Sequence, residues 1–161
     1  MTALRRKILI GVIGSSEASP AGLTAAYRVG ELLAEKGAVL VCGGLGGVME
    51  EAARGCAAAG GEVLGILPGT SAATANPYVS LPVVTNMGHA RNVIIAHTAQ
   101  ALIAIEGEYG TISEMAIGLK LHKQVFQLHA RTTLPGTVSV QSPEEAVVKA
   151  LSAAEEEGSH E

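Results

Sequence analysis

Short apolar runs alternate with helical patterns along nearly the whole chain, and this alternation constrains the fold more than any other feature of the sequence. Six runs have the length and composition of buried strands, at residues 7–13, 38–41, 62–67, 81–85, 99–105 and 124–128, and 137–140 is a candidate edge strand. Strands that alternate with helices form parallel units with right-handed crossovers. The sequence therefore predicts an α/β fold with an open, doubly wound parallel sheet between two helix layers, a three-layer αβα arrangement.

Small-residue loops follow most of the predicted strands. In such sheets the carboxyl ends of the strands share one edge, and ligands bind there. Glycine lets the backbone approach a ligand closely, and helix N-termini present free N–H groups that suit a phosphate. We therefore predict a phosphate-binding pocket lined by residues of these loops, namely Gly14, Ser15, Gly43, Gly44, Gly46 and Asn92.

The segment 105–114 joins the fifth strand to a helix through a glycine-rich turn. Gly107 and Gly110 provide the turn, and the next helix carries an apolar stripe from Ile112. Glu114 is then expected one turn into the helix, facing a bound ligand. A structural alternative is that Thr111 and Glu114 form a capping box, in which both side chains satisfy free amides of their own helix.

Several common nucleotide and metal sites are excluded by the sequence. The loop after the first strand lacks the G-x-G-x-x-G pattern of dinucleotide-binding proteins, and no G-K-[ST] segment occurs. The chain contains no aspartate, so all 15 acidic residues are glutamates. Aspartate-based magnesium sites and catalytic triads are therefore excluded. We predict no metal site and no cofactor of the protein's own.

Length and composition narrow the class of protein. The 161 residues fit a single domain, with a charged tail from Glu155 that we expect to fray. A net charge of −4 and 2% aromatic residues do not fit a protein that binds long nucleic acids. No apolar run is long enough to span a membrane, and the basic start has no signal-peptide pattern, so we expect a cytoplasmic protein.

Four other residues have simple structural interpretations. Cys42 and Cys56 have no C-x-x-C spacing, so we predict buried free thiols. His89 and His97 have no acidic partner in a motif and are interpreted as ordinary helix residues.

Four segments, in this order, resemble the LOG family of the SLOG superfamily, whose members are phosphoribohydrolases of nucleoside monophosphates that are often labelled lysine decarboxylases. The resemblance covers residues 8–128 and includes 43–49, 58–68, Arg91-Asn92 and the segment from Gly107 to Glu114. It implies a Rossmann-like fold and a homodimer. It also implies that Gly107, Gly110 and Thr111 bind the phosphate, while Arg91 and Glu114 act in catalysis.

The same segment departs from the LOG motif PGGxGTxxE. Glu106 and Glu108 stand in place of proline and the second glycine, and Ser113 stands in place of an acid. The chain is also similar to molybdenum cofactor carrier proteins, which bind a phosphorylated pterin without chemistry. Three hypotheses follow: a hydrolase of nucleoside 5′-monophosphates, a carrier of a phosphorylated cofactor, and a nucleotide sensor. All three predict a phosphorylated small molecule as ligand and a homo-oligomer, dimer or tetramer, formed through helices near 90–97 and 112–119.

Overall fold

The computed structural model describes residues 3–158 and contains one parallel sheet of seven strands. The strand order is β4-β3-β2-β1-β5-β6-β7, and every neighbouring pair is parallel. The strands are β1 (Leu9–Gly14), β2 (Val39–Cys42), β3 (Val63–Leu67), β4 (Leu81–Val84), β5 (Ala101–Ile105), β6 (Val125–Leu128) and β7 (Val138–Ser139). The predicted α/β, Rossmann-like fold is confirmed, including the short edge strand.

In the described residues, five α-helices cover the two faces of the sheet: α1 (Pro20–Glu35), α2 (Val48–Ala58), α3 (Arg91–Thr98), α4 (Tyr109–Lys120) and α5 (Pro143–Gly158). Helices α1, α2 and α5 pack on one face, where Ile10, Leu40 and Ile103 are fully buried. Helices α3 and α4 pack on the other face against Ile13 and Leu102. Successive residues of each strand thus point to opposite faces of the sheet and pack into two separate cores, as expected for a sheet covered on both sides.

Local signals explain where the helices begin and end. Ser19 accepts the Gly22 N–H at 3.1 Å as the cap of α1, and Pro20 follows at the first helical position. Ser142 caps α5 in the same way, by accepting the Glu145 N–H at 3.1 Å. Both helix starts are visible in the sequence.

Helices α1 and α2 cross at unusually short range. A methyl group placed on Gly30 would lie 1.9 Å from the Ala52 carbonyl oxygen, and one on Gly55 would lie 2.0 Å from that of Tyr27. Any larger side chain at these two positions would therefore collide with backbone.

The capping-box alternative for Thr111 and Glu114 is wrong. Helix α4 begins at Tyr109 with Glu108 as its cap residue, so Thr111 and Glu114 lie inside the helix and do not form a capping box. Helix α5 continues to Gly158, with residues 159–161 outside the described part, and the expected fraying from Glu155 stays a prediction.

The prediction for the two cysteines is confirmed. Cys42 and Cys56 are buried free thiols, and burial raises their pKa values to about 12 and about 11. Within residues 3–158, no helix is long and apolar enough to cross a bilayer.

Candidate functional site

The strand order reverses between β1 and β5, and the carboxyl ends of these two strands align, with Gly14 beside Ile105. The loops that leave β1 and β5 diverge there, as at ligand sites of other doubly wound sheets. A cavity of about 300 Å³ opens at this point. Its wall consists of Ile13, Gly14, Ser15, Ser16, Gly43, Met49, His89, Arg91, Asn92, Glu108, Tyr109, Gly110, Thr111 and Glu114.

The first turn of α4 faces this cavity with free backbone donors. The N–H of Ile112 donates to the Glu108 carbonyl at 2.9 Å, which is the first bond of the helix. The amides of Tyr109, Gly110 and Thr111 find no acceptor within residues 3–158, and the Glu108 side chain does not cap them. Free amides and the positive end of a helix dipole favour an anion at this position.

Arg91 provides a buried cation in the wall of the same cavity. Its side chain is held by the protein itself, because Nε donates to the Ile66 carbonyl at 2.9 Å, Nη2 to the Gly43 carbonyl at 3.4 Å, and Nη1 to Asn92 Oδ1. Burial lowers the Arg91 pKa, and the nearby Glu114 charge opposes this change. The guanidinium is thus preorganised beside the cavity.

Glu114 is the buried carboxyl group of the cavity. Only 9% of the residue is exposed, and neither oxygen has a hydrogen-bond partner or an ion pair of 4.0 Å or less in the described part of the chain. Burial raises the Glu114 pKa to about 7, although the Arg91 charge acts in the opposite direction. Near neutral pH this group therefore exists in both protonation states.

Asn92 connects Arg91 to the first turn of α4. Its Oδ1 accepts from Arg91, while its Nδ2 donates to Ser113 Oγ at 3.3 Å. The Ser113 hydroxyl in turn donates to the Gly110 carbonyl at 2.7 Å. Asn92 and Ser113 thus fix the guanidinium and the free amides relative to each other.

Glu106 and Glu108 form ion pairs with an arginine that is distant in the sequence. Arg131, in the loop after β6, contacts Glu106 Oε2 at 3.1 Å and Glu108 Oε1 at 3.3 Å. Glu106 lies outside the cavity wall, whereas Glu108 stands at its rim. The repulsion expected from two carboxylates beside a phosphate is therefore reduced by Arg131.

The structure brings most of the sequence-predicted residues together. Eight of them line the cavity: Gly14, Ser15, Gly43, Arg91, Asn92, Gly110, Thr111 and Glu114. Gly44, Gly46 and Gly107 lie outside its wall. Gly107 instead makes the turn into α4 with φ +111°, and a methyl group on Gly44 would lie 2.5 Å from Leu67.

Six residues of the cavity wall were not among the predicted site residues: Ile13, Ser16, Met49, His89, Glu108 and Tyr109. Ser16 and His89 follow strands at the carboxyl edge of the sheet, so their positions in the sequence could have identified them as residues of the site. The sequence does not distinguish Met49 from a core residue, because it is an apolar residue in the first turn of α2. Within residues 3–158, no cluster of histidine, cysteine and acidic residues could hold a metal ion.

Comparison with known proteins places this architecture in a family. The model of the SLOG cluster4 family matches residues 7–157. The chain belongs to the SLOG cluster4 family. A SLOG relative from Archaeoglobus fulgidus, described only as an uncharacterised protein, is 51% identical over 138 residues, which cover 86% of this chain and 91% of the relative.

Two solved structures of similar proteins concern molybdenum cofactor. The molybdenum cofactor binding protein of Rippkaea orientalis is 35% identical, with a TM-score of 0.87 over 91% of this chain and 97% of its own. The molybdenum cofactor carrier protein of Chlamydomonas reinhardtii is 31% identical, with a TM-score of 0.84 over 92% and 98%. The predicted resemblance to LOG-like and carrier proteins of the SLOG superfamily is confirmed.

Proposed function

We propose that this SLOG protein binds a phosphorylated pterin of the molybdenum cofactor class in the cavity at the β1/β5 edge and carries it without chemical change. The observation that carries the proposal is the set of three free amides at the start of α4, which face a cavity that is also lined by a buried arginine. The two similar proteins that bind this cofactor support the choice of ligand.

The cavity fits the phosphate of such a ligand. The N–H groups of Tyr109, Gly110 and Thr111 would hold the phosphate oxygens, and the α4 dipole would favour the charge. Arg91 would provide the long-range attraction, because its own hydrogen bonds already direct it to carbonyl and amide oxygens.

The cavity also fits the organic part of the ligand. A pterin ring presents neighbouring N–H donors, and a carboxylate is a matching acceptor. Glu114 has no partner in the described chain and can accept such donors. The volume of about 300 Å³ lies at the lower end of the range for small-molecule sites, which suits a ligand that is partly exposed for transfer.

The direct test is to purify the protein from a bacterial host that makes molybdenum cofactor. We expect protein-bound pterin, detected by fluorescence after acid oxidation, and molybdenum, detected by mass spectrometry, in similar molar amounts. A protein that carries neither, even when supplied with freshly released cofactor, would contradict the carrier function.

Gly110→Ala is expected to weaken ligand binding about tenfold, because the new methyl group would crowd the free amides where a phosphate would lie. The same change should not destabilise the fold, since a methyl group there meets no heavy atom within 4 Å. Bound pterin and the melting temperature would be measured together.

Gly69→Ala is the matched control for Gly110→Ala. It makes the same chemical change in open space outside the cavity, so it should leave pterin binding unchanged. Equal binding by the Gly110→Ala protein and the parent would contradict the placement of the phosphate.

Glu114 favours a second candidate function, hydrolysis of the N-glycosidic bond of nucleoside 5′-monophosphates. A carboxyl group with a pKa of about 7 can exchange protons with a leaving base and with water at neutral pH. Water would add across the bond and release ribose 5-phosphate and free base. A chromatographic assay with AMP tests this reaction.

Release of adenine that disappears in Glu114→Gln would favour the hydrolase. Absence of turnover in a parent protein that carries pterin would exclude it and leave the carrier. Gly69→Ala again serves as the control, because it should behave like the parent in both assays.

We further propose that the protein forms a homo-oligomer, as the sequence predicts. Helices α3 and α4 cover one face of the sheet side by side, and Val93 of α3 remains 41% exposed. The neighbouring edge strand β4 is also apolar and exposed, with Leu81 at 47%. Size-exclusion chromatography with light scattering would test this proposal, and a monomer at micromolar concentration would contradict it.

A further inference from the structure

The N-terminus of α1 is occupied by a carboxylate from another part of the chain. Glu106 follows β5, yet its Oε2 accepts the Ser19 N–H at 3.0 Å and its Oε1 accepts the Ser19 hydroxyl. Ser19 is the cap residue of α1. The Glu106 side chain is buried and lies outside the wall of the cavity at α4.

Several features of the chain are built around this carboxylate. A methyl group on Gly22 would lie 2.7 Å from the Glu106 carboxyl carbon, so a larger residue there would displace the carboxylate from its present position. Glu106 itself has φ +52°, a left-handed conformation that non-glycine residues rarely adopt. Arg131 Nη2 completes the contacts at 3.1 Å.

The environment keeps Glu106 negatively charged. Burial alone would raise its pKa, but the hydrogen bonds from Ser19 and the charges of Arg131 and His129 outweigh burial and lower it. At neutral pH the start of α1 thus holds an anion.

In doubly wound sheets, the start of the helix after the first strand is where the pyrophosphate of a dinucleotide binds. We infer that Glu106 acts as a built-in anion at this position and keeps a second phosphate of a ligand from binding at the start of α1, so that a ligand is held by a single phosphate at α4. Glu106 is a specificity-determining residue in this view, and the inference rests on the phosphate site of the proposed function.

Two variants of Glu106 separate the loss of charge from the loss of volume. Glu106→Gly empties the start of α1 and adopts φ +52° readily, whereas Glu106→Gln leaves it filled. We expect the melting temperature of Glu106→Gly to fall by about 5 °C, because Ser19 and Arg131 lose a charged partner.

Added formate, a small carboxylate, should restore part of this loss in a saturable way. The shift should be larger than in the parent protein and in Glu106→Gln, where the start of α1 is filled and formate can bind only at the open start of α4. Titrations with sodium chloride would correct for the general effect of salt. Absence of formate rescue in Glu106→Gly would overturn the built-in anion.

Selectivity would be measured by thermal-shift titrations with inorganic phosphate and with pyrophosphate. The parent protein should bind pyrophosphate no more tightly than phosphate, whereas Glu106→Gly should favour pyrophosphate by about fivefold. Glu108→Gln is the matched control, because it also removes one negative partner of Arg131 but leaves the start of α1 filled.

The outcomes distinguish this inference from the proposed function. If Glu106→Gly still binds phosphate and its affinity for pyrophosphate relative to phosphate equals that of the parent, the role of Glu106 in selectivity is overturned. A fivefold gain in Glu108→Gln as well would assign the effect to a general loss of negative charge near the cavity and would overturn it too. A parent protein that binds no phosphate would contradict the phosphate site at α4, and the formate titration would still decide whether Glu106 fills α1.

Discussion

Relative to Glu114→Gln, the parent protein is expected to lose about 3 kcal/mol of unfolding free energy between pH 4.5 and pH 8. Burial raises the Glu114 pKa from 4.5 to about 7, so the folded state binds more protons than the unfolded state between these values. Stability of the parent therefore falls as the pH rises through this window. Glutamine does not titrate, so the variant does not lose stability in this way. Its free energy of unfolding therefore rises relative to that of the parent as the pH increases.

Urea unfolding at several pH values would measure this effect. Glu155→Gln is the control, because it makes the same change at an exposed position of α5. A constant difference between the parent and Glu114→Gln from pH 4.5 to pH 8 would contradict a buried, unpartnered carboxyl group. The expected result would mean that the protein retains a costly group at the cavity, as functional sites often do.

Gly30→Ala is expected to destabilise the protein by about 3 kcal/mol or more. The added methyl group would lie 1.9 Å from the Ala52 carbonyl oxygen, and it could be accommodated only by moving α1 away from α2. Insertion of extra atoms into a packed core costs about 1–3 kcal/mol, and more when backbone must move. Urea unfolding followed by circular dichroism would measure the loss.

Gly110→Ala provides the control for Gly30→Ala, because it makes the same change in a helix at a position with open space. Alanine should there be neutral or should stabilise α4 by about 0.5–1 kcal/mol. If Gly30→Ala were as stable as the parent, the close crossing of α1 and α2 would be wrong.

The sequence alone was sufficient for the fold. Strand and helix patterns depend on the period of apolar residues, and helix starts depend on local chemistry such as Ser19-Pro20 and Ser142-Pro143. Because parallel strands share one edge for their carboxyl ends, the sequence also assigns the loop residues Gly14, Gly43 and Arg91 to one site. It does not give the exact start of α4, because Thr111-x-x-Glu114 satisfies a capping pattern that the folded chain does not use.

The properties of the site depended on contacts between distant segments. Arg131 neutralises Glu106 and Glu108 from 23 to 25 residues away, and no local pattern links these residues. The hydrogen bonds of Arg91 reach back to Gly43 and Ile66, and they leave Glu114 without an ion pair within 4.0 Å in residues 3–158.

The sequence by itself thus determined the layers, the order of elements and the edge at which a ligand would bind, because period and turn chemistry are local. Only the tertiary structure decided which acids are paired, which carboxyl group is buried with a raised pKa, and which helix start is left open for an anion. Desolvation and long-range pairing arise only when remote segments pack together, so no pattern of neighbouring residues contains them.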